Sequence, residues 1–360
     1  MNSTPKNSLK TIEWMWQSNP DPWSKSEPAK WNHFSDMENL IIEEAFLNKQ
    51  PLAILDEYYI DFGKNRQISN IDDYRQRPVK RIVRNREDKH LREERFVDLP
   101  VSSVRSCGGE YGWVSPFVIE VRRDLKLNRD DLPSKKPELI PILVEKAAKG
   151  IIKEGKHLRK EKEAEKMANM LREIKDKTME EVWQRCVYLY SLSSFLYRNL
   201  NAAMRLVGDK EHEQAWKSTL RTLGPFCLLL WDDPFNQNVT LKKTLYRGAN
   251  LKHEHIVVYE EMATNPNEYR SFQAFTSCSR NRQKAEEFGN TLFIMQILFA
   301  FVADLTPFSE FPTEEEELIA PGVCFRVKKV DSDCNIDKHI IYLELRQRFS
   351  GKLKGIFFTL

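Results

Sequence analysis

The rhythm of apolar and polar positions changes several times along the chain. Residues 38–48, ENLIIEEAFLN, show helical spacing with acids early. Residues 51–63, PLAILDEYYIDFG, alternate toward strand and close on Asp and Gly, and 75–86, RQRPVKRIVRNR, read as a basic strand. CGGEYGWVSPF, 107–117, predicts turns between short strands, and DLPSKKPEL, 131–139, a Pro/Lys linker. From about 140 to 231 apolar residues recur at three and four. The first part of that stretch mixes both signs of charge, as a solvated helix face does; 186–207 and 212–233 are more apolar and should pack inward. From about 240 onward strands dominate: TLYRGANL, FQAFTSCS, NTLFIMQIL, ELIAPGVCFRVKKV and HIIYLELRQ. One helix, NRQKAEEFG, interrupts them and ends on Gly289. Helices followed by strands predict an α+β unit behind a small front domain.

Composition narrows the classes. The chain has 360 residues, room for two or three domains, with 41% hydrophobic and 30% charged residues, which suits a globular protein. A net charge of +3 is too small to imply a nucleic-acid partner, so no direct DNA binding is expected. Six cysteines (Cys107, Cys186, Cys227, Cys278, Cys324, Cys334) form no CxxC pair, which argues against zinc or disulfide frameworks and for a reducing interior. The start, MNSTPKNSLK, lacks the apolar core of a signal peptide. The apolar patch FCLLLW falls far short of the roughly 20 residues that span a bilayer. The expectation is an intracellular protein, cytoplasmic or nuclear, with no membrane partner. His253 and His255 flank Glu254, but two ligands at i and i+2 are a weak metal signal, and no metal is expected.

Three short signals follow in order through the strand-rich part. LYRG sets Arg247 before Gly248: a rigid fork of donors beside a residue that lets a ligand approach the backbone. FTSCS holds two hydroxyls, Ser277 and Ser279, on one side of a strand. FPTEEEELIAPG runs four glutamates into an apolar segment; in an extended chain Glu314 and Glu316 share a side, as do Glu315 and Glu317. Together these stretches resemble the arginine–serine–glutamate class of mono-ADP-ribosyltransferases, the toxin-like and ectoenzyme type, over roughly 140–360. The resemblance implies a split β-sandwich with a helical lobe and NAD as substrate. Carried over, Arg247 would grip the NAD phosphates, Gly248 would offer backbone hydrogen bonds to the nicotinamide amide, and Ser277 would hold the nicotinamide ribose and position the catalytic glutamate. Cys278 stands where the class usually has threonine, placing a thiol in the cleft. Counting back from Pro321–Gly322 makes Glu316 the catalytic glutamate and Glu314 its partner, with Glu315 and Glu317 as the shifted alternative. The two-glutamate version goes with arginine acceptors, hence an NAD–protein-arginine ADP-ribosyltransferase; Phe308 or Phe311 would stack on the acceptor's guanidinium. The alternative is a non-transferring reader with a degenerate transferase fold that slowly hydrolyses NAD.

The front of the chain, through WMW, WNHFS, IIEEAF, YYIDF, Gln67 and RPVKR, resembles the WWE domain over about 10–85. Some such domains bind the iso-ADP-ribose unit of poly-ADP-ribose, and others are protein-interaction modules. The ligand-contacting positions would be Trp16, Tyr58, Gln67 and Arg77. The expected division is a WWE domain at 1–87, a linker at 88–139 and the transferase at 140–360, with its helical lobe at about 140–235 and its β-sandwich at about 236–360.

Overall fold

The computed structural model describes residues 12–83, 115–128, 130–235, 240–309, 312–333 and 338–347. Cys107, Cys334 and Phe311 lie outside them. Among the described residues no helix is long and apolar enough to cross a membrane.

The front module is a six-stranded antiparallel sheet in the order β2-β1-β6-β5-β4-β3 with one helix. Its strands are β1 Ile12–Gln17, β2 Trp31–His33, β3 Leu52–Ile54, β4 Tyr58–Asp61, β5 Arg66–Ser69 and β6 Gln76–Val83, and its helix is α1 Asp36–Leu47. Residues 51–63 make two strands of a hairpin rather than one. A capping box starts α1: Glu38 N–H donates to the Ser35 hydroxyl, and the Glu38 carboxylate accepts from Ser35 N–H. Trp14 is core, its indole N–H donating to Glu43 at 2.9 Å.

Seven helices with shared apolar faces follow among the described residues or flank the next sheet. They are α2 Pro116–Asp124, α3 Ile140–His157, α4 Glu161–Arg172, α5 Met179–Ser191, α6 Phe195–Leu206 and α7 Glu213–Trp231, then α8 His253–Thr264. Pro116 and Phe117 therefore open a helix, not a turn between strands, because Phe117, Val118 and Val121 pack into the helical core. The expected linker is pinned: Ser134 donates its N–H (2.7 Å) and its hydroxyl (2.8 Å) to Asp232. At Gly150 a Cβ would meet the Thr222 carbonyl oxygen of α7 at 1.8 Å, so only glycine lets α3 and α7 approach this closely. The front module sits on this lobe. Met37 is buried in the helical core, and Asp36 accepts the N–H of Ser193 at 2.7 Å.

The second sheet runs β11-β12-β9-β7-β10-β14-β13-β8. Its strands are β7 Thr240–Ala249, β8 Arg270–Ser271, β9 Thr276–Ser279, β10 Thr291–Ala300, β11 Val302–Asp304, β12 Glu316–Ile319, β13 Cys324–Asp333 and β14 Lys338–Arg346; the short helix α9, Arg282–Glu286, follows β9. The sheet is split. β7 and β9 pair only at Tyr246 and Ser279, so β11-β12-β9 and β7-β10-β14-β13-β8 are two ladders joined at one point. The first ladder faces the helices through Leu318, with Phe275 just before β9, and turns Cys278 and Ile319 into the core that the second builds around Phe293, Phe325 and Leu343.

Candidate active site

The split is where the three motifs meet. Arg247 lies on β7 one residue past the joining pair, is 5% exposed, and donates Nη1–H to the Ser277 carbonyl at 2.6 Å. A side chain thus bridges the strands where the ladder stops. Ser277 pairs with Leu318, and Ser279 with Glu316. Opposed residues share a face, so Ser277, Ser279, Glu316 and Leu318 point one way, while Thr276, Cys278, Glu317 and Ile319 point the other.

The acidic run is not an extended strand. Pro312–Glu314 is a 3-10 turn, Glu315 has φ +45°, and β12 begins only at Glu316. A turn and a left-handed residue separate Glu314 from Glu316, so strand alternation is not what relates them. The turn is held from β9: the Ser279 hydroxyl donates to the Glu314 carbonyl at 2.7 Å, and Arg280 N–H to the Glu315 carbonyl at 3.2 Å.

The two glutamates of the shifted alternative have cationic partners. Arg280 contacts Asp304 at 2.8 Å, Glu317 at 3.4 Å and Glu315 at 3.6 Å, and Lys243 also pairs with Glu317. Burial raises the Glu317 carboxyl above its ordinary range, and Lys243 and Arg280 oppose that rise. Glu316 is fully buried on the Ser277 face. Arg280 and Lys243 were missed in the sequence; the signal was the need of four adjacent carboxylates for counter-charge.

Two expectations need correction, and a third residue, Gly248, gains a packing role beside the expected one. Cys278 is fully buried in the sandwich core, its thiol pushed well up by burial, so it is not a reactive group in the cleft. Phe308 packs edge-on to Trp183 at 5.8 Å and stacks on Phe235 at 6.2 Å, turned into the helical lobe rather than toward an acceptor. At Gly248 the Cβ direction is filled by the chain itself, since a methyl there would meet the Ala285 carbonyl at 2.3 Å and the Phe288 carbonyl at 2.6 Å. The glycine is needed for that packing.

Arg247 also lines a recess of about 20 Å³ with Arg205 of α6, Gln273 and Phe275. Arg205 was not foreseen, being one basic residue in a charged helical stretch. Two arginines from separate elements lining one recess are the kind of donor pair a pyrophosphate uses. The donor chemistry suits the NAD that the sequence implied, while the recess itself has room for about one water.

In the front module a cavity of about 920 Å³ is lined by Tyr58, Gln67 and Arg77, with Trp23, Tyr74 and others. Three of the four expected residues share it. Trp16 does not line it, but lies beneath the Arg77 guanidinium at 5.5 Å. The Gln67 side-chain oxygen is buried without a hydrogen bond. Elsewhere, Asp209, Glu211 and His212 bring possible metal-ligand atoms within 4.8 Å of one another at the surface. His253 and His255 lie in the first turn of α8.

The family model described as NAD:arginine ADP-ribosyltransferase matches residues 145–350, and the one described as WWE domain matches residues 12–81. No curated protein matches the chain. Among solved structures, the ADP-ribosyltransferase HopU1 of Pseudomonas syringae pv. Tomato is similar at 17% identity, covering 50% of this chain and 87% of its own, with a TM-score of 0.40. The type III effector XopAI from Xanthomonas axonopodis pv. citri is similar at 14% identity, covering 64% of this chain and 99% of its own, TM-score 0.42. Exoenzyme S from Pseudomonas aeruginosa, in complex with human 14-3-3 protein beta and bound to Carba-NAD, is similar at 17% identity, covering 60% and 94%, TM-score 0.34.

Proposed function

Since the chain belongs to the NAD:arginine ADP-ribosyltransferase family and carries a WWE domain, we propose that it moves ADP-ribose from NAD to arginine side chains of proteins, and that its front module binds ADP-ribose ligands. The observation that carries the reading is the double use of β9. Its Ser277 carbonyl takes Arg247 across the split, and its side-chain face sets Ser277 beside the strand that begins with Glu316.

The chemistry asked of these residues is modest. The bond between nicotinamide and ribose breaks with its electron pair going to the ring nitrogen, which loses its charge and needs no acid. Positive charge develops on the sugar. The Glu316 carboxylate, buried on the Ser277 face, stabilises it through the ribose 2′-hydroxyl, more strongly as the charge grows. Arg247, with Arg205 across the recess, holds the phosphates so that the ribose cannot drift. An acceptor guanidinium is protonated and a poor nucleophile. Glu314 orients it and takes the proton released as the new C–N bond forms.

A labelled-NAD assay with an arginine-rich protein, read by mass spectrometry, tests this. Wild type labels arginine; Glu316→Ala labels nothing; Glu314→Gln loses transfer and keeps some NAD hydrolysis. Normal transfer by Glu314→Gln, or label on another residue type, would overturn the acceptor assignment.

A further inference from the structure

The cavity of the front module is not built by that module alone. One of its lining residues is Arg159, in the turn between α3 and α4 of the helical lobe. Three arginines line the cavity, and they are not equally available. Arg77 donates Nη1–H to the carbonyls of Gln17 (3.0 Å) and Asn19 (2.7 Å) and stacks on Trp16. Arg75 pairs with Asp72 at 3.3 Å. Arg159 is exposed and has no ion pair among the described residues.

The turn that presents Arg159 is fixed. Its backbone is left-handed, φ +56°, and Lys160 N–H closes the turn onto the Gly155 carbonyl at 2.7 Å. Three residues on, Asp56 of the cavity wall accepts the N–H groups of Lys162 (2.7 Å) and Glu163 (3.4 Å) at the start of α4. Lys160 pairs with Glu163 at 3.0 Å and approaches Glu38 at 3.9 Å, and Glu38 accepts the hydroxyl of Tyr58, also in the wall, at 2.6 Å. Asp56 is thus bonded to the segment that carries Arg159, and Tyr58 reaches that segment through Glu38 and Lys160, so the backbone that presents the guanidinium has a set position relative to the wall.

Resting on the reading that this cavity takes an ADP-ribose ligand, we propose that Arg159 of the transferase lobe completes the site and holds a ligand phosphate, so that ligand binding belongs to the two modules jointly. Occupancy then ties the front module to the helical lobe, because a ligand that touches both stabilises their docked arrangement. The front module's own residues supply the aromatic and amide contacts, and the transferase supplies the uncommitted charge.

Calorimetry on the full chain with iso-ADP-ribose tests this, using wild type, Arg159→Ala and Gln67→Ala. A charge-assisted contact to phosphate predicts a loss of about tenfold or more in affinity for Arg159→Ala. It also predicts loss of most of the ligand-induced rise in Tm, while the ligand-free Tm moves by no more than about a degree, since the side chain is exposed. If Gln67→Ala weakens binding and Arg159→Ala does not, the cavity reading stands and the shared site is wrong. If wild type gives no binding, both fall.

Discussion

Gly248→Ala adds one methyl and should unsettle both the fold and the reaction. The new Cβ would stand 2.3 Å from the Ala285 carbonyl oxygen, 2.6 Å from the Phe288 carbonyl oxygen and 2.6 Å from the Phe288 Cβ. Two of the three obstacles are backbone, so no rotamer change relieves them. Nor is the segment loose. Phe288 is 2% exposed, Gly289 has φ +60°, and Gly289 bridges Ala249. On its other side Gly248 faces Leu292 in the β7–β10 ladder. Relief needs a shift of roughly 1 Å between β7 and the end of α9, judged against ordinary carbon contacts of about 3.5 Å. Overpacking of this kind costs about 1–3 kcal/mol, and rigid obstacles place it at the upper end, a Tm lower by about 6–12 °C for a domain of this size. The shift falls beside Arg247, and a misplacement of about 1 Å can cost roughly a hundredfold in rate. Calorimetry and the labelled-NAD assay on the same preparation read both effects. A variant with wild-type Tm but no transfer would refute the packing argument and assign the glycine to close approach by ligand. Wild-type values in both would refute the whole account.

Glu316→Gln should lower transfer by at least about a hundredfold with Tm preserved, whereas Glu317→Gln should stay within a few-fold of wild type in transfer; the reverse ranking would move the catalytic assignment to the shifted register. Glu163 is buried beside Glu38 and Asp56, and burial raises its carboxyl from the ordinary 4.5 to about 7 against the pull of Lys160. Its proton is held by the folded state, so its stabilising contribution is fully present below pH 4.5 and is lost as pH rises through about 7, with a ceiling of roughly 3 kcal/mol. Glu163→Gln should flatten the fall of Tm between those pH values, and an unchanged slope would sink the idea. Cys278, with its thiol buried, should resist maleimide in the native protein and react on unfolding; rapid native labelling followed by loss of transfer would return the thiol to the cleft.

What could be read from the sequence is what local pattern encodes. Arg247, Ser277 and the glutamates stood out because each belongs to a short run of distinctive residues beside its own turn signals. The helix α8 was overlooked, although Ile256, Tyr259 and Met262 are buried at intervals of three; the paired valines and crowded charges between them blur the period. The break between β7 and β9 is a property of two strands distant in sequence. The 3-10 turn and the left-handed Glu315 answer to Ser279 and Arg280, which no local pattern in the acidic run announces. Arg205 and Arg159 belong to the same category: each is one basic residue among many, made distinctive only by what folds opposite it.

The crowding of four carboxylates then has a physical resolution. Strand geometry turns Glu316 and Glu317 to opposite faces, so the most buried adjacent pair does not share one low-dielectric space. The cations are distributed to match. Lys243 and Arg280 take Glu317, and Arg280 takes Glu315, which would otherwise hold a left-handed backbone costing about 1–2 kcal/mol without compensation. Sliding the run by one residue would exchange the faces, turning Glu317 toward Ser277 and leaving Lys243 to face a buried apolar position instead of a carboxylate. The ion pairs at Glu315 and Glu317 therefore do more than neutralise charge. They fix which glutamate begins β12, and with it which carboxylate lies on the Ser277 face.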